Sequence, residues 1–327
     1  MISILNYIQM KTKVLLGIAL SLTMFACQQE NVPEAGTAKE NTDIRLRAEV
    51  SGSVESRTTT DEGGNVSFNP GDEIGFFMPE EDSPTLFTNK AGTWEAAARL
   101  SWPDLTSDFA FCAFYPYQAG ATRSQVPMPD LSLQSGKLAE LGTYDFLVAT
   151  KECNFGDNNG TVNFTGANAF KHTYSLLLIT LVDEGNMETL LNEVSIEGEG
   201  CFTEHTYNFT SELMTEISGA EAKNKWTMSA GGTTIDDVTD TQIALLLNPS
   251  ESQVTLTFSI GYTRDGVSFT ASTQNISHAF AAGYCYQYTI RINDGQLIIG
   301  DSDVTEWTTG EVTGGGNLVV DGEPENV

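Results

Sequence analysis

The sequence predicts an all-β protein built as two β-sandwiches in tandem, on three observations. Apolar and polar residues alternate in run after run, the period of a strand with one buried face. Gly-containing turn signals separate these runs at short intervals, as in antiparallel sandwiches. Helical periodicity is scarce. The 327 residues are enough for two domains, and 40% hydrophobic with 9% aromatic residues can fill two cores.

The elements follow in chain order. Ile44, Leu46, Ala48 and Val50 alternate with Arg45, Arg47 and Glu49, which predicts the first strand. An acidic, Gly-rich loop is expected at 58–65. Pro70-Gly71-Asp72 predicts a turn, with Pro fixing one dihedral and Gly supplying a positive one, before an apolar strand at 74–77. Asp72 is therefore read as a turn former rather than a catalytic acid. Residues 176–182 are apolar except for Thr180, as expected of a central strand covered on both faces. Residues 186–192, with Leu190 and Leu191, offer one or two helical turns, and 211–225 has no clear period. Residues 231–240 read as an exposed loop. Val254, Leu256, Phe258, Ile260 and Tyr262 form an alternating strand, and Asp265-Gly266 turns it into a second at Val267, Phe269 and Ala271. Tyr284, Tyr286, Tyr288, Ile290 and Ile292 repeat the pattern, and Asn293-Asp294-Gly295 leads into 296–299. Trp307 is expected to plug one end of the C-terminal sandwich.

Sixteen basic and 44 acidic residues give a formal charge of −28, which argues against nucleic acid and anionic lipid surfaces as partners. The N-terminus reads as an export signal: Lys11 and Lys13 precede the apolar run 14–25, of signal-peptide length and too short to span a bilayer. Translation from Met1 or from Met10 leaves the same signal. The run ends in Met24-Phe25-Ala26-Cys27, which resembles a bacterial lipobox with Cys27 as the lipidated residue. Met24 and Phe25 depart from the usual Leu and small residue, and an ordinary signal peptide with an incidental cysteine is the plainer alternative. Loss of residues 1–26 removes two lysines and no acid, leaving 14 basic and 44 acidic residues and a charge of −30. The expected organisation is a lipoprotein signal peptide at 1–26, a flexible tether at 27–42, an N-terminal sandwich at 43–185, a C-terminal sandwich at 186–312 and a tail at 313–327.

Cys112, Cys153, Cys201 and Cys285 match no zinc or redox spacing, so disulfides and buried thiols both remain open for them. The three histidines, His172, His205 and His278, are far apart, and no metal site or cofactor is predicted. His172 is read as a hydrogen-bonded structural residue. The loop at 155–160, with Asp157, Asn158 and Asn159, reads as a solvated turn, with calcium or sugar binding as the alternative.

Several segments together resemble the fimbrillin-like family, the subunits and accessory lipoproteins of type V pili in Gram-negative anaerobes. They are residues 68–77, with Pro70-Gly71-Asp72, and residues 109–117, which end in Phe114-Tyr115-Pro116-Tyr117. Tyr144-Asp145-Phe146-Leu147-Val148-Ala149 and Phe170-Lys171-His172-Thr173-Tyr174 follow. Residues 283–292 and Val304-Thr305-Glu306-Trp307 complete the set.

The resemblance implies sandwiches of the transthyretin-like, Greek-key type and assembly with other pilus subunits by β-strand addition. In such pilins a protease cuts after an arginine near the N-terminus, the first strand leaves, and a partner's strand fills the groove. Arg57, in Ser56-Arg57-Thr58, is the first candidate for that cut, with Arg45 and Arg47 behind it. Intact, solvent-facing arginines are the plainer reading of all three. The tail after Trp307, with only Leu318, Val319 and Val320 apolar in a row, is a poor donor strand, which favours a tip, anchor or adhesin subunit over a stalk subunit. The expected location is the outer membrane, through the lipid, or the fimbrium.

No nucleophile elbow, phosphate loop or zinc motif is present, so no enzymatic activity is predicted. The competing reading is a surface lipoprotein outside any pilus that binds glycan or host protein. A glycoside hydrolase or esterase would need a coherent acid pair, which 44 acids do not single out.

Overall fold

The computed structural model describes residues 41–51, 68–183, 185, 188–198, 201–216, 225–235, 241–293 and 295–307. The expected signal peptide, the tether as far as residue 40, the tail, the loop at 58–65, Cys27 and Arg57 lie outside the described residues.

The first half contains β1 (Arg45–Ala48), β2 (Glu73–Phe77), β3 (Thr85–Lys90), β4 (Thr93–Ala96) and β5 (Phe109–Tyr115). After β6 (Val126–Pro127) come the short helix α1 (Leu141–Tyr144), β7 (Leu147–Cys153), β8 (Thr161–Phe164) and β9 (Lys171–His172). Six of these strands form one sheet in the order β4-β3-β2-β5-β7-β9, and β1 pairs with β8 in a separate two-stranded sheet. The corner before β2 forms as its residues dictate. Gly71 takes a φ of 98°, the Asp72 N–H donates to Asn69 O at 3.0 Å, and Asp72 Oδ2 accepts from the Asn69 N–H at 2.5 Å. Asp72 is a turn former.

The second half contains β10 (Ser175–Asp183), β11 (Thr189–Glu197), β12 (His205–Asn208), β13 (Leu213–Glu216) and β14 (Lys225–Ile235). It continues with β15 (Thr241–Leu247), β16 (Val254–Arg264), β17 (Val267–His278), β18 (Tyr284–Asn293) and β19 (Gln296–Glu306). Two four-stranded sheets, β15-β10-β18-β19 and β14-β11-β16-β17, enclose a core that includes Leu177, Ile179, Leu191, Ile196, Phe258 and Ile290. A third sheet, β13-β12-β6, joins strands of both halves. Both predicted hairpins form. Asp265 and Gly266 take φ values of 50° and 74°, the left-handed pair that matches the twist of two antiparallel strands.

The apolar run at 176–182 lies in β10, between β15 and the parallel strand β18. Its side chains serve two cores. Leu177, Ile179 and Leu181 face the C-terminal sandwich core, while Leu176 and Leu178 face a second core with Phe77, Phe114 and Phe146 from the first half. A third core, around Phe76, Phe111, Val162 and Phe164, belongs to the first half alone.

Two expectations are corrected. Residues 189–192 are strand rather than helical turns, since β11 is paired on both edges, to β14 and β16. The segment 231–235 belongs to β14 instead of a loop; Gly231 and Gly232, at φ 63° and 77°, carry the register break opposite Asn192.

The ends of β10, β11 and β16 are tied by one ionic network. Arg264 Nη2 donates to both Asp183 oxygens at 2.9 Å, and Arg264 Nε donates to Thr189 Oγ1 at 2.9 Å. The Thr189 hydroxyl donates in turn to Asp183 Oδ2, and the Gly185 N–H donates to Asp183 Oδ1 at 2.9 Å. Asp183 is buried, so these donors offset the cost of holding its charge out of water.

Candidate functional site

The first strand lies in a groove. Alternation puts Ile44, Leu46 and Val50 inward, all buried, while Arg45, Arg47 and Glu49 face solvent. β1 runs parallel to β8 in the register Arg45↔Thr161 to Ala48↔Phe164. Its ends are fixed by backbone bonds: the Ile44 N–H to Leu100 O at 2.9 Å, the Arg45 N–H to Gly160 O at 3.1 Å and the Ser51 N–H to Phe170 O at 2.7 Å. The groove under it is apolar, with Trp102, Val162, Phe164 and Phe170 in the same core. Trp102 Nε1 donates to Gly160 O at 3.0 Å, which satisfies its one polar atom.

Burying three aliphatic side chains contributes about 5–8 kcal/mol before ordering costs. A four-residue ladder adds little specificity beyond the pockets. The strand is a plug that its backbone bonds hold and whose alternating apolar side chains set its register.

Arg45 and Arg47 lie on the solvent side of β1. The Arg45 guanidinium donates to Asn159 O, so it clasps the 155–160 loop. In that loop Asn154 and Asp157 exchange backbone-to-side-chain bonds of 3.0 and 3.1 Å, and Gly160 N–H donates to Phe155 O at 2.8 Å. These bonds make it a self-contained turn. Among the described residues no group of three or more His, Cys, Asp or Glu is placed to hold a metal.

The four cysteines Cys112, Cys153, Cys201 and Cys285 are free and buried. Burial pushes the Cys153 and Cys201 thiols up to about 11 and Cys285 to about 12, and it raises Cys112 despite the nearby Arg123. Such thiols carry almost no thiolate at neutral pH and are poor nucleophiles.

The histidines are structural. His172 Nδ1 lies 2.8 Å from Asp145 Oδ2, with both side chains buried. His205 is buried, among the described residues neither ring nitrogen has a hydrogen-bond partner, and burial pushes it down to about 4. Burial also lowers His278, which packs among Phe280, Tyr286 and Tyr288. Trp307 is buried in the core that both halves share.

Sequence reasoning did not find Arg123. Its guanidinium donates to Met78 O at 2.6 Å, to Glu81 O at 3.3 Å and to Cys112 Sγ at 3.2 Å, and its carbonyl accepts from the Phe209 N–H at 3.0 Å. No local pattern marks an arginine whose partners all come from elsewhere in the chain.

Among the described residues no helix is long and apolar enough to cross a membrane. The chain matches the family described as fimbrillin-like over residues 56–307. Its fold is similar to that of a candidate cell adhesion protein from Bacteroides uniformis, at 23% identity and a TM-score of 0.57, over 82% of this chain and 100% of that one. A candidate cell adhesion protein from Bacteroides ovatus is similar at 15% identity and a TM-score of 0.55, over 82% and 99% of the two chains. A fimbrial protein from Bacteroides vulgatus is similar at 15% identity and a TM-score of 0.51, over 82% and 100%. Comparison with curated proteins finds no match.

Proposed function

The chain belongs to the fimbrillin-like family, and from that premise we propose that it is a non-enzymatic subunit of a type V pilus. Its role in the fibre is accessory, as a tip, anchor or adhesin, and it assembles with other pilus subunits by strand exchange. The observation that carries this reading is β1. It is short, paired with β8 through a parallel ladder, and buried by alternate side chains in an apolar groove. Removing such a strand exposes backbone donors and acceptors along β8 together with the pockets of Ile44, Leu46 and Val50. A partner's strand supplies the same groups again.

A cut after Arg57 releases the whole strand. Cuts after Arg45 or Arg47 fall inside the ladder, where the backbone is hydrogen-bonded and does not fit an extended protease cleft. Arg57 is the residue we assign to the cleavage. Lipid on Cys27 carries the chain to the outer membrane, each buried methylene contributing about 0.8 kcal/mol.

Mass spectrometry of the N-terminus of native protein sheared from cells tests the reading. A terminus at Thr58 supports strand loss, and an acylated Cys27 ahead of an intact β1 overturns it while supporting an anchored subunit. An intact chain absent from sheared fibres favours a surface lipoprotein that binds glycan or host protein. A Cys27→Ala chain that stays fully membrane-bound overturns the lipid anchor.

A further inference from the structure

Among the described residues, the terminal strands of the two four-stranded sheets differ in how their outer edges are guarded. The outer edge of β15 is covered by residues 134–136: the Ala244 N–H donates to Gly136 O at 2.8 Å, and Gln134 exchanges bonds of 2.7 and 3.1 Å with Leu246. β14 is broken by its glycine pair. β19 carries Asp301, Asp303 and Glu306. β17 is the terminal strand of its sheet and twelve residues long, and it holds no Asp, Glu, Lys, Arg or Pro. A flat, uncharged edge is what proteins ordinarily avoid, because it templates another strand.

The edge is also apolar at one end. Val267 and Phe269 are 54% and 42% exposed at the Asp265-Gly266 tip, and Ile298, on the tip end of β19, is 44% exposed. Register with β16 is regular from Val267 to Thr273 and breaks beyond it, between Phe258 and Leu256. Seven residues thus form an unbroken ladder.

We propose that this edge pairs antiparallel with the same edge of a second copy, with Thr270 on the two-fold axis. The sequence is self-complementary about that residue. Residues 267, 269, 271 and 273 share the core-facing side, so both copies keep their inner faces on one side of a continuous sheet. Phe269, large and exposed, falls opposite Ala271, small and buried, and covers the gap beside it. On the outer face Ser268 meets Ser272 and Thr270 meets Thr270, pairings that β ladders favour. The contact is isologous and closes on itself.

Charge restricts where two copies can meet. Two copies at a formal −28 each repel wherever their acids meet, and 267–273 with 296–300 is a stretch of edge free of any acid. β17 packs on the core of the C-terminal sandwich and β1 on a separate core of the first half, so the two interfaces share no core.

The test is cysteine trapping in the full chain. Thr270→Cys is expected to form a disulfide-linked species at twice the chain mass under mild oxidation, and Thr93→Cys, exposed on β4, is expected not to. Cys112, Cys153, Cys201 and Cys285 are buried, and both variants carry Cys27→Ala, so no native thiol competes. Ser268→Glu with Ser272→Glu, both exposed, is expected to abolish the dimer in sedimentation velocity with an unchanged circular dichroism spectrum. A wild-type chain that sediments as a monomer overturns the proposal, as does Thr270→Cys trapped no more than Thr93→Cys. Capture of Thr270→Cys in a species of another mass also overturns it, in favour of a strand from a different protein.

Discussion

The His172 ring lies flat on the Trp307 indole, with centroids 3.6 Å apart and planes 11° apart. His172 Nδ1 is held at the edge of the ring by Asp145, and the Trp307 backbone N–H donates to Gly283 O at 2.6 Å. The last described residue is therefore clamped onto the strand that precedes β10. Trp307→Ala removes a buried indole, with an expected loss of about 3–5 kcal/mol. Urea unfolding measures it, and a loss under 1 kcal/mol would show the stack to be ornamental.

The Arg264–Asp183 pair makes a sharper prediction. Arg264→Ala leaves a buried carboxylate without its cation, which costs about 3–5 kcal/mol. Replacing both residues with leucine should cost less than Arg264→Ala alone, because no charge is then stranded. A double variant as unstable as the sum of its singles would mean that the two do not interact.

His205 makes the fold weaker on the acid side. Folded, it stays neutral down to about pH 4, whereas in the unfolded chain it takes up a proton near pH 6.5. The unfolded state binds more protons below pH 6.5, so stability falls as pH drops from 6.5 toward 4, by about 3 kcal/mol for this group. His205→Phe is expected to flatten that part of the profile, read by denaturant titration at several pH values.

Gly75 allows β2 and β5 to approach. A Cβ there would stand 2.3 Å from the Phe114 ring, which is itself packed against Phe77 and Phe146. Gly75→Ala should cost about 1–3 kcal/mol through overpacking. Thermal unfolding at unchanged melting temperature would refute the contact.

Leu46 tests how β1 is held. Leu46→Asp puts a charge into an apolar groove, and trypsin should then cut after Arg45 and Arg47 far faster than in the parent chain. Leu46→Val should leave the rate close to the parent's. Equal rates for all three chains would mean that burial does not retain the strand.

The features legible in the sequence were those with a local cause. The Asp265-Gly266 hairpin needs only positive dihedrals and flanking alternation, and the two-faced burial of β10 shows as an unbroken apolar run. β11 was missed because its period breaks at Asn192, the residue skipped at the register shift, so no single face reads through it. The parallel pairing of β1 with β8 has no local signature, since the partners lie more than a hundred residues apart. Arg264 and Asp183 are separated by 81 positions, and nothing near either one announces the other. Of the candidate site, the alternating apolar teeth could be read from sequence, while the pockets that receive them could not.

β10 is a party wall. One of its faces closes the C-terminal sandwich and the other closes the core shared with the N-terminal sheet, so neither room stays dry if the wall is taken down. A truncation at either end of it leaves a row of leucines open to water, and the two halves cannot be bred as separate proteins. Calorimetry is expected to record a single cooperative melt, and a load applied through one half reaches the other along a backbone already hydrogen-bonded on both sides.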